Sequence, residues 1–379
     1  MFYPSFNELG LPEVCTIIAG LAFVMVLVNY LLNYLPVTLL KKNHLDAATE
    51  PPPVSVIICA RNEEDNLAAF LPKILAQKYP KFEVVVVNDC SDDNTGNVVD
   101  ALAVTHPHLR KADIKEDAYY KHGKKFAMLV GIKSASYGHL VFTDADCYPA
   151  SDQWLRNMAE GFTPQREIVL GYGSYEKQEG MLNDLIRYDT FSNAVMYLSA
   201  AIRKKPYMGV GRNLAYNKEL FFRNKGFATH YHLKSGDDDL FVNEVANNSN
   251  TNVCIAPEAI TISKPEVKFR EWNLQKARHL TTAPLYKSGS RGRLMFNHFS
   301  QYFFLLALIA LAFSMETVLF IPALLLLNFV VHLLVMKGAV KKLGEPDLLV
   351  SGYFYGLILL FIYPIFQATK IFNKKRWTI

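Results

Sequence analysis

The chain has 379 residues, of which 51% are hydrophobic and 20% charged, and its formal net charge is +5. Its apolar residues are concentrated in residues 14–35 and 299–372, whereas residues 37–298 have an ordinary globular composition. This distribution excludes a wholly soluble enzyme and a disordered chain. The small net charge, with no basic face and interleaved aromatic residues in the central region, predicts no nucleic-acid partner.

The five cysteines are scattered along the chain, and none stands at a metal-ligand spacing from another. An odd number without close pairs predicts free thiols in a reducing compartment. A small secreted scaffold held together by disulfides is therefore excluded as well.

Four apolar segments are predicted to be membrane helices, and about 20 apolar residues cross the hydrocarbon core. The first, residues 14–35, lies in an N-terminal unit of residues 1–40. No small-residue cleavage site follows it, which predicts an anchor rather than a signal peptide. The others are predicted at about 299–313, 317–336 and 348–369 in a C-terminal unit of residues 299–379. The first two of these would form a hairpin that turns at Ser314, Met315 and Glu316.

Lysines beside these segments predict their orientation, because positively charged flanks stay in the cytoplasm. Lys41 and Lys42 place the central region on the cytoplasmic side, and Lys337, Lys341 and Lys342 agree with that placement. The basic tail at 374–376 would lie outside if residues 348–369 cross the bilayer, and inside if they re-enter it. Crossing is the preferred interpretation. The sequence thus predicts an integral, multi-pass membrane protein with a cytoplasmic central domain.

The central region begins with alternating strand and helix patterns. Short apolar runs at residues 54–59, 83–87 and 140–143 read as buried strands, and residues 66–78 and 124–136 have helical spacing. Pro72 is expected to kink the first of these helices. This order predicts a Rossmann-like α/β domain with a mostly parallel sheet, whose ligands bind at the carboxyl ends of the strands.

The acidic pair Asp144 and Asp146 follows the third predicted strand. Because side chains alternate along a strand, carboxylates two residues apart project from the same side where the strand ends. Two hard oxygen ligands suit a divalent metal, Mg²⁺ or Mn²⁺, which commonly bridges carboxylates to a substrate diphosphate. An acidic turn without a ligand is the alternative.

Three other polar clusters, at residues 60–63, 88–95 and 122–125, stand after predicted strands or open a helix. Each has an ordinary structural interpretation as a helix start, a capped turn or a solvated basic turn. The functional alternative at 122–125, which includes His122, is an anion site built from backbone N–H groups and lysines.

Residues 235–240 bring together three carboxylates, Asp237, Asp238 and Asp239. Adjacent carboxylates repel one another, so we expect at least one of them to have the raised pKa that a general base needs. A surface acidic loop is the alternative. Farther along, residues 266–298 are amphipathic enough to lie at the membrane interface, and they contain a Gln-x-x-Arg cluster at 275–278.

Taken in order, these clusters resemble the motifs of the family-2 inverting glycosyltransferases with a GT-A fold. The resemblance is to the membrane-integrated branch, which includes poly-N-acetylglucosamine and hyaluronan synthases and ceramide or polyprenyl-phosphate sugar transferases. It covers roughly residues 52–290, and five or six motifs stand in the family order. It implies a GT-A catalytic domain over residues 41–265, followed by the interfacial segment at 266–298.

The resemblance also implies a donor site. Glu63 and Asp89 match positions that contact the uridine, and Lys124 matches the lysine that faces the diphosphate. Asp144 and Asp146 match the metal-binding D-x-D, with Asp146 as the direct ligand. Asn88 and Cys90 replace an acidic residue and a glycine of the family pattern, and Leu129 replaces an asparagine.

On the acceptor side, Arg212 lies in a segment that resembles the loop between acceptor and donor sugar. The acidic motif places the catalytic base at Asp238, or at Asp237 in an alternative alignment. Gln275 and Arg278 match the Q-x-x-R-W motif and imply binding of the pyrophosphate. His279 stands where the family has tryptophan, a departure that weakens the case for processive polymer synthesis.

The implied function is transfer of a sugar from a UDP-sugar to a lipid or lipid-linked acceptor, with membrane lipids as further partners. An Asp general base and a divalent metal would support one inverting displacement. A processive polysaccharide synthase, with a glycan acceptor, is the first alternative. A non-catalytic membrane protein that binds a nucleotide sugar is the second, because a fold by itself does not establish an activity.

Overall fold

A computed structural model of the chain describes residues 10–41, 51–115, 123–313 and 315–373. Some sequence predictions therefore lie outside the described residues. These are Lys42 beside the first membrane segment, His122 in the basic cluster, Ser314 in the predicted turn, and the basic tail at 374–376.

The domain is built on a seven-stranded sheet and a smaller three-stranded sheet, both taken over the described residues. The large sheet has the strand order β3-β2-β1-β4-β8-β6-β9, and the small one β5-β10-β7. Pairs among β1 to β4 are parallel, as is β6 with β9, while β8 runs antiparallel to both of its neighbours. The strands are β1 (Val54–Ala60), β2 (Phe82–Asp89), β3 (Leu109–Ile114), β4 (His139–Phe142), β5 (Cys147–Pro149), β6 (Ile168–Leu170), β7 (Gly173–Tyr175), β8 (Leu214–Asn217), β9 (Thr251–Val253) and β10 (Thr261–Ser263).

The predicted apolar strands form the centre of the large sheet because both of their faces are covered. Ile57 and Val85 pack into one core, while Val56, Ile58 and Val84 pack into a second core on the other face. Parallel strands buried on both sides need such continuous apolar runs. The prediction of a mostly parallel α/β sheet is confirmed.

The helices between the strands cover the sheet and carry the loops at its carboxyl edge. Pro72 lies inside α3, which ends three residues later, and α5 spans most of the predicted helix at 124–136. The helices of this region are α3 (Glu64–Leu75), α4 (Thr95–Ala103), α5 (Lys124–Ser134), α6 (Trp154–Ala159), α7 (Met181–Ile202), α8 (Lys218–Arg223), α9 (Asp239–Val245) and α10 (Phe269–His279). The last of these lies within the segment predicted to be interfacial.

Within the described residues, four helices are long and apolar enough to cross a membrane, judged by length and composition. They are α1 (Leu11–Asn33), α11 (Ser288–Leu311), α12 (Phe320–Lys342) and α13 (Leu348–Phe372), and a short helix, α2 (Leu35–Leu39), follows the first. Their positions correspond to the four predicted segments, and the limits of α11 and α12 differ most from the prediction.

Helices α11 and α12 extend past their predicted limits because contacts with the rest of the chain hold the extra turns. Helix α11 begins eleven residues before position 299, where Asn243 accepts a hydrogen bond from the Lys287 backbone N–H (2.8 Å) and Arg293 donates to the Lys205 carbonyl (3.0 Å). Helix α12 continues to Lys342, whose ammonium donates to three backbone carbonyls at residues 37, 38 and 40. Apolar composition alone therefore does not reveal these end turns.

Candidate active site

The acidic pair Asp144 and Asp146 lies between β4 and β5, at the carboxyl edge of the large sheet. Lys124, the first residue of α5, donates to Asp144 at 2.7 Å and lies 3.3 Å from Asp237. The lysine therefore joins the D-x-D segment to the acidic triplet, the three residues Asp237 to Asp239. Sequence positions almost a hundred residues apart meet at one ammonium group.

The donor set around the acidic pair fits a divalent cation. Ligand atoms of Asp144, Asp146 and Cys147 lie within 4.8 Å of one another. The Cys147 sulfur lies 2.8 Å from the Ser263 hydroxyl and is buried behind the pair. Carboxylate oxygens are the ligands that Mg²⁺ and Mn²⁺ prefer, so the two aspartates are the residues that would hold such an ion.

The two carboxylates of the pair differ electrostatically. Burial disfavours the ionised form of Asp144, but Lys124, Arg212 and Arg278 together outweigh that effect and lower the pKa of Asp144. Burial and the neighbouring Asp144 charge raise the pKa of Asp146. Two carboxylates this close repel each other unless a cation lies between them. The pair is therefore arranged to gain free energy from binding a positive ion.

The three carboxylates of the acidic triplet have different partners. Asp237 lies beside Lys124, and Asp238 accepts hydrogen bonds from the backbone N–H groups of Gly211 and Asp239, each at 2.7 Å. Asp239 is buried and accepts hydrogen bonds from the hydroxyls of Thr282 and Tyr286. Of the three, only Asp237 makes an ion pair among the described residues.

The setting of Asp238 suits a general base. Its desolvation and the neighbouring charges of Asp237 and Asp239 raise the pKa of Asp238 to about 7. A base is most effective when its pKa lies near the working pH. This supports the choice of Asp238 over Asp237, which stays a prediction.

Lys125 anchors the loop that precedes the acidic triplet. This side chain is buried, and its ammonium donates to the carbonyls of His230 (2.5 Å), Leu233 (3.0 Å) and Ser235 (2.8 Å). Three carbonyls converge on the three donors of one ammonium group. Adjacent lysines thus have separate tasks, because Lys124 faces the acidic site and Lys125 holds the loop behind it.

We expect Lys125→Met to lower kcat by about 10- to 100-fold, the size of effect produced when a catalytic group moves by about 1 Å. The carbonyls would also lose their donor, at a cost of about 1–3 kcal/mol for each group left buried and unpaired. Thermal unfolding and nucleoside-diphosphate release from a sugar donor measure the two effects.

Lys218→Met is the matched control, since Lys218 also donates to two backbone carbonyls, those of Lys133 and Ala135, but lies away from the site. A kcat loss of the same size in both variants would contradict a positioning role for Lys125.

The two residues predicted to contact the nucleotide lie at the carboxyl ends of β1 and β2. Glu63 precedes α3 and accepts a hydrogen bond from Asn66 at 2.7 Å, and Asp89 ends β2. Burial raises the pKa of the Cys59 thiol, and the charges of Asp144 and Asp89 both add to the shift. The ends of β1, β2 and β4 thus come together, as the parallel sheet predicted.

Cys90 takes the place of a glycine in the family pattern and adopts a positive φ of 52°. That conformation favours glycine, and other residues adopt it at a cost of order 1–3 kcal/mol. The Cys90 thiol donates to the Ile114 carbonyl at 3.1 Å, a contact that glycine could not make. The turn therefore keeps the positive φ that a glycine would adopt, although Cys90 stands in the place of the glycine.

The remaining residues predicted to bind substrate are Arg212, Gln275 and Arg278. The Arg212 guanidinium stacks 4.3 Å from the centre of the Tyr175 ring and donates to the Ser174 carbonyl (3.2 Å). The Tyr175 hydroxyl donates to Gln275 at 3.4 Å. Arg278 and Arg212 both lower the pKa of Asp144, although less than Lys124 does. The predicted substrate-binding cations therefore surround the acidic pair.

One cavity of about 960 Å³ connects these residues with the long apolar helices. At one end it is lined by Lys124, Asp144, Asp146, Arg212, Asp237, Asp238, Gln275, Arg278 and His279. At the other end its lining includes Asn29 and Tyr30 of α1, Asn297 and Gln301 of α11, and Asn328 and His332 of α12. Glu63 and Asp89 are not among the lining residues. The predicted site residues thus form two groups: those that line the cavity, and Glu63 and Asp89, which do not.

Sequence reasoning missed the polar residues inside the apolar helices. Asn297 accepts hydrogen bonds from Asn29 and Tyr34, each at 3.0 Å, and the buried oxygen of Asn328 has no partner among the described residues. Polar side chains within membrane segments are costly and commonly face a cavity or a partner. The available signal was the presence of Asn29 and Asn328 within the predicted apolar spans; Asn297 lies just before such a span.

Comparison with known proteins agrees with this geometry. Residues 55–222 match the family model described as "Glycosyl transferase family 2". Glycosyltransferase AglE of Haloferax volcanii is 32% identical over 175 residues, which are 45% of this chain and 53% of AglE. Poly-beta-1,6-N-acetyl-D-glucosamine synthase of Staphylococcus aureus is 32% identical over 93 residues, 24% of this chain and 21% of the synthase. The chain thus spans about half or less of these curated relatives.

A solved structure of similar fold is that of the mannosyltransferase PcManGT from Pyrobaculum calidifontis, in complex with GDP-Man and Mn²⁺. It superimposes with a TM-score of 0.55 at 22% identity and covers 92% of this chain and 99% of its own. The fold is therefore that of the GT-A glycosyltransferases, as predicted. Residues 55–222 thus match the glycosyl transferase family 2 domain.

Proposed function

We propose that this protein transfers a sugar, with inversion, from a nucleoside-diphosphate sugar to a lipid or lipid-linked acceptor at the membrane. The observation that supports this most strongly is the single cavity, which joins Asp238 and the Asp144–Asp146 pair to the apolar helices. A donor site and a membrane-facing acceptor path then share one enclosed space. The resemblance of the Glu63 and Asp89 motifs favours UDP as the nucleotide.

The donor diphosphate would lie between Lys124, Arg212 and Arg278. These three cations surround the acidic pair, and they favour negative charge there. A Mg²⁺ or Mn²⁺ ion held by Asp144 and Asp146 would neutralise part of the diphosphate charge. The cations of the chain act in the same direction because they stabilise the leaving nucleoside diphosphate as its charge develops.

Asp238 would act as the base. The acceptor oxygen bonds to the anomeric carbon, the bond from that carbon to the diphosphate oxygen breaks, and the acceptor hydroxyl proton passes to Asp238. The backbone N–H groups of Gly211 and Asp239 orient this carboxylate, with a 2.7 Å contact to each of its oxygens. A single displacement inverts the anomeric centre and needs no carboxylate nucleophile.

The acceptor would bring a neutral, hydroxylated group into the cavity. Where α1 and α12 line it, the described residues provide amide, phenol and imidazole groups but no carboxylate, lysine or arginine. Such groups hydrogen-bond to hydroxyls, whereas a phosphate is recognised by cations. The phosphate of a polyprenyl acceptor would instead have to stay near Arg278 and Arg291, at the domain end of the cavity.

A polysaccharide synthase is the second candidate, and the depth of the cavity favours it. Asn328 lines the cavity deep within α12. At a rise of about 1.5 Å per residue, it lies about 21 Å from Lys342 at the end of that helix. A path of this length could also hold several sugar units. His279, in place of the family tryptophan, points to single transfer instead.

The membrane arrangement that we propose keeps the domain in the cytoplasm, where nucleotide sugars are made. Lys41 lies at the domain end of the first helix, and Lys341 and Lys342 end α12 beside it. Positive residues at these helix ends favour the cytoplasmic side.

The test is an assay of the purified protein in lipid bilayers, with UDP-sugars and GDP-mannose as donors and with alkyl glycosides, diacylglycerol and polyprenyl phosphate as acceptors. We expect metal-dependent nucleotide release, and one added sugar on a neutral acceptor.

Asn328→Leu should raise KM for the neutral acceptor by about tenfold, which corresponds to the loss of about 1.4 kcal/mol of hydrogen bonding. The variant should leave nucleotide release in the absence of acceptor unchanged.

Long polymer in the product would favour the synthase, and transfer only to polyprenyl phosphate would contradict a neutral acceptor. No release with any donor would overturn the transferase.

A further inference from the structure

The last helix, α13, touches the glycosyltransferase domain at its N-terminal end. Just before it, Asp347 accepts hydrogen bonds from the Arg187 guanidinium at 2.9 and 3.0 Å and lies 2.9 Å from Lys177. Two turns later the Tyr355 hydroxyl donates to Asp184 at 2.8 Å. Arg187 is itself buried, and it also pairs with Glu345. These ion pairs fix the start of α13 against α7.

The middle of α13 follows α7 at close range. A Cβ on Gly352 would lie 2.6 Å from the Tyr188 ring, and one on Gly356 would lie 3.1 Å from the Tyr188 hydroxyl. Farther along, the Tyr363 hydroxyl donates to Asp189 at 2.6 Å. Two glycines on one face let the helices approach closely, as small residues do where helices cross.

The C-terminal end of α13 touches α10, the helix that follows the domain. The Phe366 ring packs 4.9 Å from that of Trp272 in α10, and Asn273 donates to Thr369 at 2.9 Å. Helix α10 is held to the domain in turn, because Lys276 pairs with the buried Asp189 of α7 at 2.6 Å. The start of α13 therefore rests on α7 of the domain, and its end rests on α10, which is itself held to α7.

A helix placed this way cannot also cross the bilayer. With 25 residues, α13 is about 37 Å long, and the hydrocarbon core is about 30 Å thick. A crossing would put one end of α13 on the opposite side of that core from the domain. The ion pairs at Asp347 and the contacts at Phe366 and Thr369 would then have to lie on opposite sides of the membrane.

The face of α13 that points away from the domain is a continuous apolar stripe. Its side chains are between 45% and 87% exposed, and they recur at intervals of four and seven residues: Val350, Phe354, Phe361, Ile365 and Phe372. This spacing places them on one side of a helix. The stripe lies next to the apolar helices α11 and α12, so the surface that it fits is the hydrocarbon beneath the lipid headgroups.

We infer that α13 lies along the membrane surface on the side of the domain, with its apolar stripe in the lipid, and that the chain crosses the bilayer three times. Residues 348–369 then do not form the fourth crossing preferred from the sequence. The basic residues at 374–376 fall on the same side as the lysines of the other helix ends, which removes the conflict in the charge pattern. Gly356, Leu360 and Tyr363 of α13 also line the cavity, so this helix separates part of it from lipid.

The test is the side of the membrane on which the C-terminus lies. An epitope tag is added to the C-terminus of the full-length chain, and antibody binding is measured on sealed vesicles of both orientations. Two cysteine variants mark the two sides of the membrane when they are labelled with an impermeant thiol reagent. Val104→Cys lies in the domain and Met315→Cys lies between α11 and α12, and these positions are 85% and 87% exposed. The untagged parent chain, with its own cysteines, gives the background labelling.

We expect the tag to be accessible from the side that labels Val104→Cys and not from the side that labels Met315→Cys. Accessibility from the Met315→Cys side would overturn the proposal and establish a fourth crossing. Asn373→Cys, labelled in the same vesicles, provides a second reading of the same side. The outcome is independent of whether the protein transfers sugar.

Discussion

Replacing Asp238 by asparagine is expected to lower kcat by about 10²- to 10⁴-fold, the usual contribution of a general base. The amide cannot accept the acceptor proton, yet it keeps the size of the side chain and one oxygen for the Gly211 N–H. Donor binding should change little, because Asp238 has no cation contact among the described residues. Nucleotide release under saturating donor measures kcat, and donor titration in the absence of acceptor measures binding.

Asp237→Asn and Asp152→Asn are the comparisons that make this result specific. Asp237 lies 3.3 Å from Lys124, so its loss should weaken donor binding more than it lowers kcat. Asp152 pairs with Lys78 on the surface and should have no effect on either. A larger kcat loss in Asp237→Asn than in Asp238→Asn would transfer the role of base to Asp237.

The raised pKa of Asp238 also predicts the pH profile. Its carboxyl is protonated, and inactive as a base, below about pH 7, so kcat should rise as the pH increases through 7. Asp238→Asn should remove this dependence from whatever activity remains. A wild-type profile that is flat between pH 5.5 and 8 would show that no such base limits the reaction.

Asp146→Asn should produce the second large effect, a loss of activity of about 10²-fold or more together with the loss of metal binding. Asp146 and Asp144 are the carboxylates of the candidate metal centre, and an amide is a weaker ligand for a hard cation. In the wild-type protein, Mn²⁺ should raise the melting temperature because it binds the folded state only. The same titration should leave the variant unchanged, and EDTA should abolish wild-type activity.

Asp113→Asn is the matched control, since Asp113 is another carboxylate near a lysine, Lys111, but lies on the edge strand β3 away from the cavity. It should keep both the metal-dependent stabilisation and the activity. Full activity of the wild-type protein in EDTA, or of Asp146→Asn, would contradict a role for metal in this pair.

Much of the domain could be predicted from local sequence because its strands and loops obey short-range rules. Buried parallel strands need continuous apolar runs, and residues 54–59 and 83–87 are apolar apart from Ser55 and Glu83. Ligands bind where such strands end, and Asp89 and Asp144 stand at or just beyond those ends. Apolar length also marks the four long helices, although it misplaces the ends of α11 and α12, where polar contacts replace burial in lipid.

The tertiary structure alone distinguishes the three adjacent aspartates and decides the arrangement of the last helix. In sequence, residues 237–239 are three equivalent carboxylates. In the fold, Asp237 lies beside Lys124, and Asp238 accepts a hydrogen bond from the Gly211 N–H. Asp239 accepts hydrogen bonds from the hydroxyls of Thr282 and Tyr286. An apolar run of 25 residues has the same composition whether it crosses a bilayer or lies along it. The difference lies in contacts between residues far apart in the chain, such as Asp347 with Arg187, and no local pattern records them.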